Sequence, residues 1–289
     1  MNTISYAICA AAIAAGGYAA YDYFVAGSHD NVSDTVIAEQ RAALAASTAG
    51  AGFGPQSPRD IDAIEGVNAV TFDISPTRTT MNLCNIHFHE NAEHKGGEFT
   101  TYAGNGDGHG YGTGFKYDGE LAEAELAPVG TTIGASDHGD LVPGDTIEIH
   151  FVHSSAAVSP GPTLGACVSD DGTTPQLRVD TVVAVLVNET SAANFLEMAK
   201  IEQVGDLYQV TQLPTDLGTP VVYAGSTTGP GYNEEGSPYK VTWSVSPKVI
   251  KLDINSLATW LSDNPFDEDH AHGVRNLVLN KDLLSPITN

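Results

Sequence analysis

Six short runs between residues 69 and 247 constrain the fold of this chain more than any other feature. They are AVTFDI (69–74), LCNIHFH (83–89), TIEIHFVHS (146–154), TVVAVLVNE (181–189), VVYAG (221–225) and YKVTWSVSP (239–247). Each alternates or runs apolar with β-branched and aromatic residues, the pattern of half-buried or fully buried strands. Gly- and Pro-rich turns separate them: GNGDGHGYGTG (104–114), VPGD (142–145) and DDGTTP (170–175). VPGD stands just before TIEIHFVH and reads as a turn feeding a central strand. Helical spacing is confined to 35–47, where Ser33 is placed to cap, to Ala192–Glu202 and to Ile254–Leu261. With 289 residues, 42% of them apolar, the chain has enough material for one large domain. The expected fold is mainly β with a few short helices, as a single domain around a central mixed or antiparallel twisted sheet.

Residues 4–20 (ISYAICAAAIAAGGYAA) are apolar and uncharged, and are read as a signal peptide over 1–20. An N-terminal helix and a Gly/Pro-rich linker, AGAGFGPQSP, are expected within 21–60. The body of the chain is expected over 61–289, and its stretch at about 96–144 is acidic and Gly-rich. Of three cysteines, Cys9 falls in the leader. Removal of the leader leaves Cys84 and Cys167, an even pair that suits one disulfide in an oxidising compartment; two free thiols are the alternative. A secreted or periplasmic location follows. The net charge is −24, from 12 basic and 36 acidic residues. That field repels nucleic-acid phosphates and anionic lipid, so neither is an expected partner, and no membrane is expected for the mature protein.

The chemistry is expected at the histidines. On a strand, residues two apart share a face, so His87 and His89 project together with Asn85 beside them. In the second run Glu148, His150 and Val152 share one face and His153 takes the other. Two imidazoles from one strand and a third from a neighbour make a three-ligand site with one position open, the arrangement of a catalytic zinc. Nitrogen donors without cysteine suit Zn2+, with Co2+ or Cd2+ as substitutes. Asn85 and Glu148 are placed to take the second ring N–H of His87 and His150. His94 and His153 are read as structural. Packing or a turn contact is the expected role of His270 and His272.

The ordered set HFH, Glu93-His94, then Glu-Ile-His-Phe-Val-His resembles the alpha-class carbonic anhydrases. CNIHFHENAEHKGGEF, with HAHGVRNLV near the C-terminus, is closer to the delta-class carbonic anhydrases of marine microorganisms. Tyr223-Ala-Gly-Ser-Thr-Thr228 and Lys240-Val-Thr-Trp243 are similar to further alpha-class segments. The resemblance implies the fold of that class and the reversible hydration of carbon dioxide to bicarbonate and a proton by hydroxide generated at zinc. It also implies roles by position. Glu93 matches a buried carboxylate that accepts from a gatekeeper threonine, which is Thr228 counting from Tyr223, with Thr227 as the alternative. Val152, Val185, Val241 and Trp243 match the apolar wall where carbon dioxide rests. The 61-residue step from His89 to His150 exceeds that of the alpha class, so the resemblance implies a catalytic domain over 61–289 with an insert at about 96–144. No residue matches the proton shuttle, for which His109 and His138 of the insert are candidates.

Two other functions use the same residues. A cupin-like metal oxygenase would take His87, His89, Glu93 and His150 as ligands. Its second motif needs a Pro-x-Gly turn and a following Asn, however, whereas Pro143 and Gly144 are adjacent here. A non-catalytic zinc-binding relative of the carbonic anhydrases typically lacks a ligand histidine, and all three are present.

Overall fold

A computed structural model describes residues 31–169 and 174–288. The leader expected at 1–20, and Cys9 with it, lie outside the described residues. The strands are β1 (Asn82–Glu90), β2 (Thr101–Asn105), β3 (Thr113–Lys116), β4 (Thr146–Ser154), β5 (Leu177–Val187), β6 (Ile201–Val204), β7 (Leu207–Val210), β8 (Val221–Ser226) and β9 (Lys240–Asp253). The helices are α1 (Asp34–Thr48), α2 (Phe195–Met198) and α3 (Ile254–Ser262).

Five strands form the central sheet in the order β1-β4-β5-β9-β8. The β5–β9 pair is parallel and the other pairs are antiparallel, so the sheet is mixed. Strand alternation gives its two faces different work. One face carries Ile86, Phe88, Ile147, Ile149, Phe151, Val182, Ala184 and Leu186, and packs against Phe195 of α2 and Leu257 and Trp260 of α3. Asp253 caps α3 by accepting from the Asn255 N–H. The opposite face carries Val152, Val179, Tyr223, Val241 and Trp243, together with the histidines. A register shift between Leu83 and Asn85 turns Cys84 to this second face. There it is bonded to Cys167, so the expected pairing is present.

The structure corrects several local expectations. Residues 69–74 form no strand. Pro76 follows them, and the segment finds no ladder partner; the Ser75 N–H donates instead to Thr242 Oγ1. The helix expected over 192–202 is one turn, after which Ile201–Val204 pairs with Leu207–Val210. The reason is the two-residue turn Gly205-Asp206, where Gly205 takes φ +64°, a hairpin geometry. Ser33 stands at the start of α1, but its side chain makes no capping bond. The end of the expected linker is buried: Gln56, Ser57 and Arg59 are each 2% exposed or less. Gln56 Nε2 donates to Ser237 O, and its Oε1 accepts from the Ser237 N–H and Ser226 Oγ. These hydrogen bonds offset the desolvation of the buried Gln56 amide. Within the 96–144 stretch β2 and β3 form a hairpin.

Candidate metal centre

Antiparallel register puts His87 directly opposite His150, and His89 opposite Glu148. The three histidines therefore form one cluster whose donor nitrogens lie within 4.8 Å of one another. Each ring has one nitrogen tied to a group that only accepts. His87 Nδ1 donates to Asn85 Oδ1 at 2.6 Å, His89 Nδ1 to the Gly273 carbonyl at 2.8 Å, and His150 Nε2 to Glu148 Oε1 at 2.7 Å. A neutral imidazole has one N–H, so these bonds leave His87 Nε2, His89 Nε2 and His150 Nδ1 as bare lone pairs. His87 Nε2 and His150 Nδ1 stand only 3.1 Å apart. Two lone pairs that close repel unless a cation lies between them. Two nitrogens bound tetrahedrally at about 2.0–2.1 Å sit roughly 3.3 Å apart. The donor set fits a zinc-type ion.

The surroundings keep these rings neutral. Desolvation, and then the neighbouring imidazoles, hold His87 well below its ordinary pKa. Desolvation and His272 bring His89 down to about 4. Burial likewise lowers His150, against the opposing pull of Glu148. Burial alone would raise Glu148, but His94 and His150 on either side hold it well below the carboxylate range. Glu148 is fully buried. Its Oε1 accepts from His94 Nδ1 at 2.7 Å and its Oε2 from the His94 N–H at 2.9 Å. His94 Nε2 pairs in turn with the Tyr223 hydroxyl at 2.7 Å. His94 thus carries the structural role expected of it, as the far anchor of the group that orients His150. Glu93, His94, Glu148 and His150 also cluster closely enough to hold an ion. In that group, however, Glu148 already accepts three hydrogen bonds from the two histidines.

The bare nitrogens face an apolar cavity of about 430 Å³. Val152, Val241 and Trp243 line it, and Trp243 stands 5.0 Å from the His150 ring. Val185 does not line it. It pairs with Thr146 at the far end of β4, while the residue opposite Val152 is Val179, which does face the cavity. Leu164, Gly165 and Val168 complete the wall on a segment tied to β1 by the disulfide and by Asn85 Nδ2, which donates to Gly161 O. Ser57 Oγ accepts from Trp243 Nε1 at 2.9 Å, which brings the supposed linker to the cavity edge.

Glu93, Thr227 and Thr228 all reach the cavity. Glu93 is buried and raised above its ordinary pKa, chiefly by desolvation, and its Oε1 accepts from the Arg275 N–H at 3.1 Å. Among the described residues no hydrogen bond joins Glu93 to either threonine. Thr227 Oγ1 is engaged with Ser237 Oγ at 2.8 Å, whereas Thr228 is exposed.

The remaining histidines separate cleanly. His109 and His138 do not line the cavity, and His138 stacks on Tyr111 at 3.5 Å. His272 stands beside the ligands, its ring 5.7 Å from His87 and 5.9 Å from His89, with Nε2 bonded to Glu268. Sequence reading missed it because the contact joins positions far apart in the chain. His153 lies on the other sheet face, fully buried, and among the described residues neither ring nitrogen has a hydrogen-bond partner. Burial outweighs the Asp180 carboxylate 3.5 Å away and lowers His153 to about 4. As pH falls through 6.5 the unfolded chain takes this proton and the folded chain does not, so stability is lost between 6.5 and 4. His153→Leu is expected to lose about 2 kcal/mol less than the parent between pH 8 and pH 5, read by denaturant unfolding. Equal losses would show that His153 is not the buried neutral group described here.

Fold and site together define a mixed-sheet protein with a three-histidine, metal-competent centre at the floor of an apolar cleft. A comparison with protein families sharpens that class. The chain belongs to the delta carbonic anhydrase family, whose model matches residues 78–256. The chain is also similar to solved carbonic anhydrase structures. These include the alpha-carbonic anhydrase from Thermovibrio ammonificans in complex with sulfanilamide (16% identity, 77% of this chain and 84% of that one, TM-score 0.26). A second is a hyperthermostable carbonic anhydrase from an active hydrothermal vent chimney (16%, 78% and 85%, 0.29). A third is carbonic anhydrase Cah3 from Chlamydomonas reinhardtii with acetazolamide (19%, 78% and 87%, 0.29). No curated protein matches the chain. Gly273 and Arg275, which bond His89 and Glu93, lie beyond the family match.

Proposed function

We propose that this protein reversibly hydrates carbon dioxide to bicarbonate and a proton at a zinc ion held by His87, His89 and His150. The observation that carries the reading is the convergence of three bare imidazole nitrogens at the base of an apolar cavity, two of them 3.1 Å apart. When bound, zinc lowers the pKa of a coordinated water to about 7 and supplies hydroxide at neutral pH. Asn85, Gly273 and Glu148 orient the three rings and set their tautomers. Val152, Val179, Val241 and Trp243 hold a small apolar substrate beside the centre without hydrogen-bonding it and exclude competing water. Thr228 and Glu93 line the same cavity, where the Thr228 hydroxyl would donate to the Glu93 carboxylate and accept from the attacking hydroxyl, setting the direction of attack. Co2+ and Cd2+ fit the same nitrogen set. The chain acts outside the cytoplasm, where a disulfide such as Cys84–Cys167 persists. Among the described residues no helix is long and apolar enough to cross a membrane.

The test is stopped-flow carbon dioxide hydration by the purified protein before and after treatment with a chelator. Activity that the chelator removes and zinc restores supports the reading. Iron- or manganese-dependent consumption of oxygen, without hydration, would replace it with the oxygenase alternative.

A further inference from the structure

Two hydrogen bonds meet at one peptide carbonyl behind the metal centre. The Gly273 carbonyl accepts from His89 Nδ1 at 2.8 Å and from the Tyr232 hydroxyl at 2.5 Å. This peptide belongs to a segment that pairs with β1 around His89. There the His272 N–H donates to Phe88 O, and the Glu90 N–H donates to His272 O.

The insert closes over the same peptide by direct backbone contact. The Val274 N–H donates to Gly110 O at 2.8 Å. A Cβ on Gly273 would meet Gly110 C at 2.9 Å. A Cβ on Gly110 would meet the Tyr232 hydroxyl at 2.7 Å and Val274 O at 2.8 Å, and Gly110 takes φ +115°. Only glycine fits at that approach. On its outer side the loop is pinned to α1, where Gln40 Nε2 donates to Gly108 O at 2.8 Å. Tyr232 itself takes φ +53°, a conformation that a bulky residue holds only where its surroundings enforce it.

We propose that Tyr232 and Gly110 are positioning residues for the ligand His89. Together they clamp the Gly273 peptide, whose carbonyl sets the ring plane and tautomer of His89. The insert at 96–144 is then a working part of the metal centre. This rests on the zinc reading above. The carbonyl has two lone pairs, so it can serve the imidazole and the phenol together. Without the phenol, the peptide keeps its place by chain contacts alone, and the imidazole gains freedom to tilt. Groups that orient a metal ligand from behind typically contribute 10–100-fold to metal affinity.

The experiment compares the parent protein with Tyr232→Phe, Gly110→Ala and Tyr102→Phe. Tyr102 is an exposed residue of the insert whose hydroxyl donates to Asn105 Oδ1 and does not touch Gly273. Zinc affinity is read by competition with a chromogenic chelator. The visible spectrum of the cobalt-loaded protein reports ligand geometry, and thermal unfolding of the metal-free protein reports stability. Tyr232→Phe is expected to bind zinc about 10–100-fold more weakly, with a changed cobalt spectrum and metal-free unfolding close to that of the parent. Gly110→Ala is expected to shift affinity and spectrum in the same direction, and Tyr102→Phe to match the parent in both. Parent-like affinity and spectrum in Tyr232→Phe would overturn the positioning role while leaving the zinc reading intact. An equal loss in Tyr102→Phe would also overturn it, because the effect would then belong to the insert as a whole. A parent protein that binds no zinc would defeat the zinc reading and this inference with it.

Discussion

His150→Ala is expected to abolish zinc binding and carbon dioxide hydration together. The substitution removes one of three donors, and it does so at the most buried ligand, 2% exposed at the centre of the sheet. It also takes away one of the two partners that satisfy Glu148, leaving that carboxylate with His94 alone. A buried carboxylate short of a partner costs stability, so some loss in unfolding free energy accompanies the loss of metal. The loss of zinc affinity should exceed the roughly 10–100-fold that substitution of a group behind a ligand costs. Zinc content and stopped-flow hydration on the same preparation check this. A variant that keeps stoichiometric zinc would remove His150 from the ligand set.

Thr228→Ala is expected to keep zinc and to lose about 10²-fold in kcat, the scale of a positioned hydrogen bond made in the transition state. Thr227→Ala is expected to stay near the parent rate. The structure gives a reason for the difference. The Thr227 hydroxyl is occupied by Ser237 at 2.8 Å. Among the described residues the Thr228 hydroxyl has no such partner, and it stands at the cavity with Glu93. A fully active Thr228→Ala with an impaired Thr227→Ala would transfer the gatekeeper role to Thr227. Full activity in both would remove the threonine from the mechanism.

The parts of this site that were legible in the sequence are those that a single strand encodes. Period-two alternation places His87 with His89 and Asn85, and His150 with Glu148 and Val152, before any pairing is known. What sequence could not show depends on register and on long-range contacts. Val185 and Val179 stand on the same face of β5, and only the β4–β5 register decides that Val179 meets Val152 while Val185 meets Thr146. The partner of His89 is a backbone carbonyl 184 residues away, which carries no side-chain signature. Ser57 lay in a Gly/Pro-rich stretch that reads as a linker, yet its hydroxyl is taken by Trp243 and Ser226. The helix expected over 192–202 stopped early for a local reason, the Gly205-Asp206 turn, which the apolar periodicity of AANFLEMAKIE obscured. The expectations for Glu93, the Thr228 loop and the apolar wall came from the family pattern, because neither spacing nor composition picks those residues out.

The measurement that bears most directly on the central claim is a zinc titration of the metal-free protein followed by carbon dioxide hydration. The account predicts turnover that rises in proportion to added zinc and saturates at about one ion per chain, the capacity of a single three-histidine site with one open position. Zinc binding at that stoichiometry without hydration, or hydration that does not follow zinc occupancy, would contradict it.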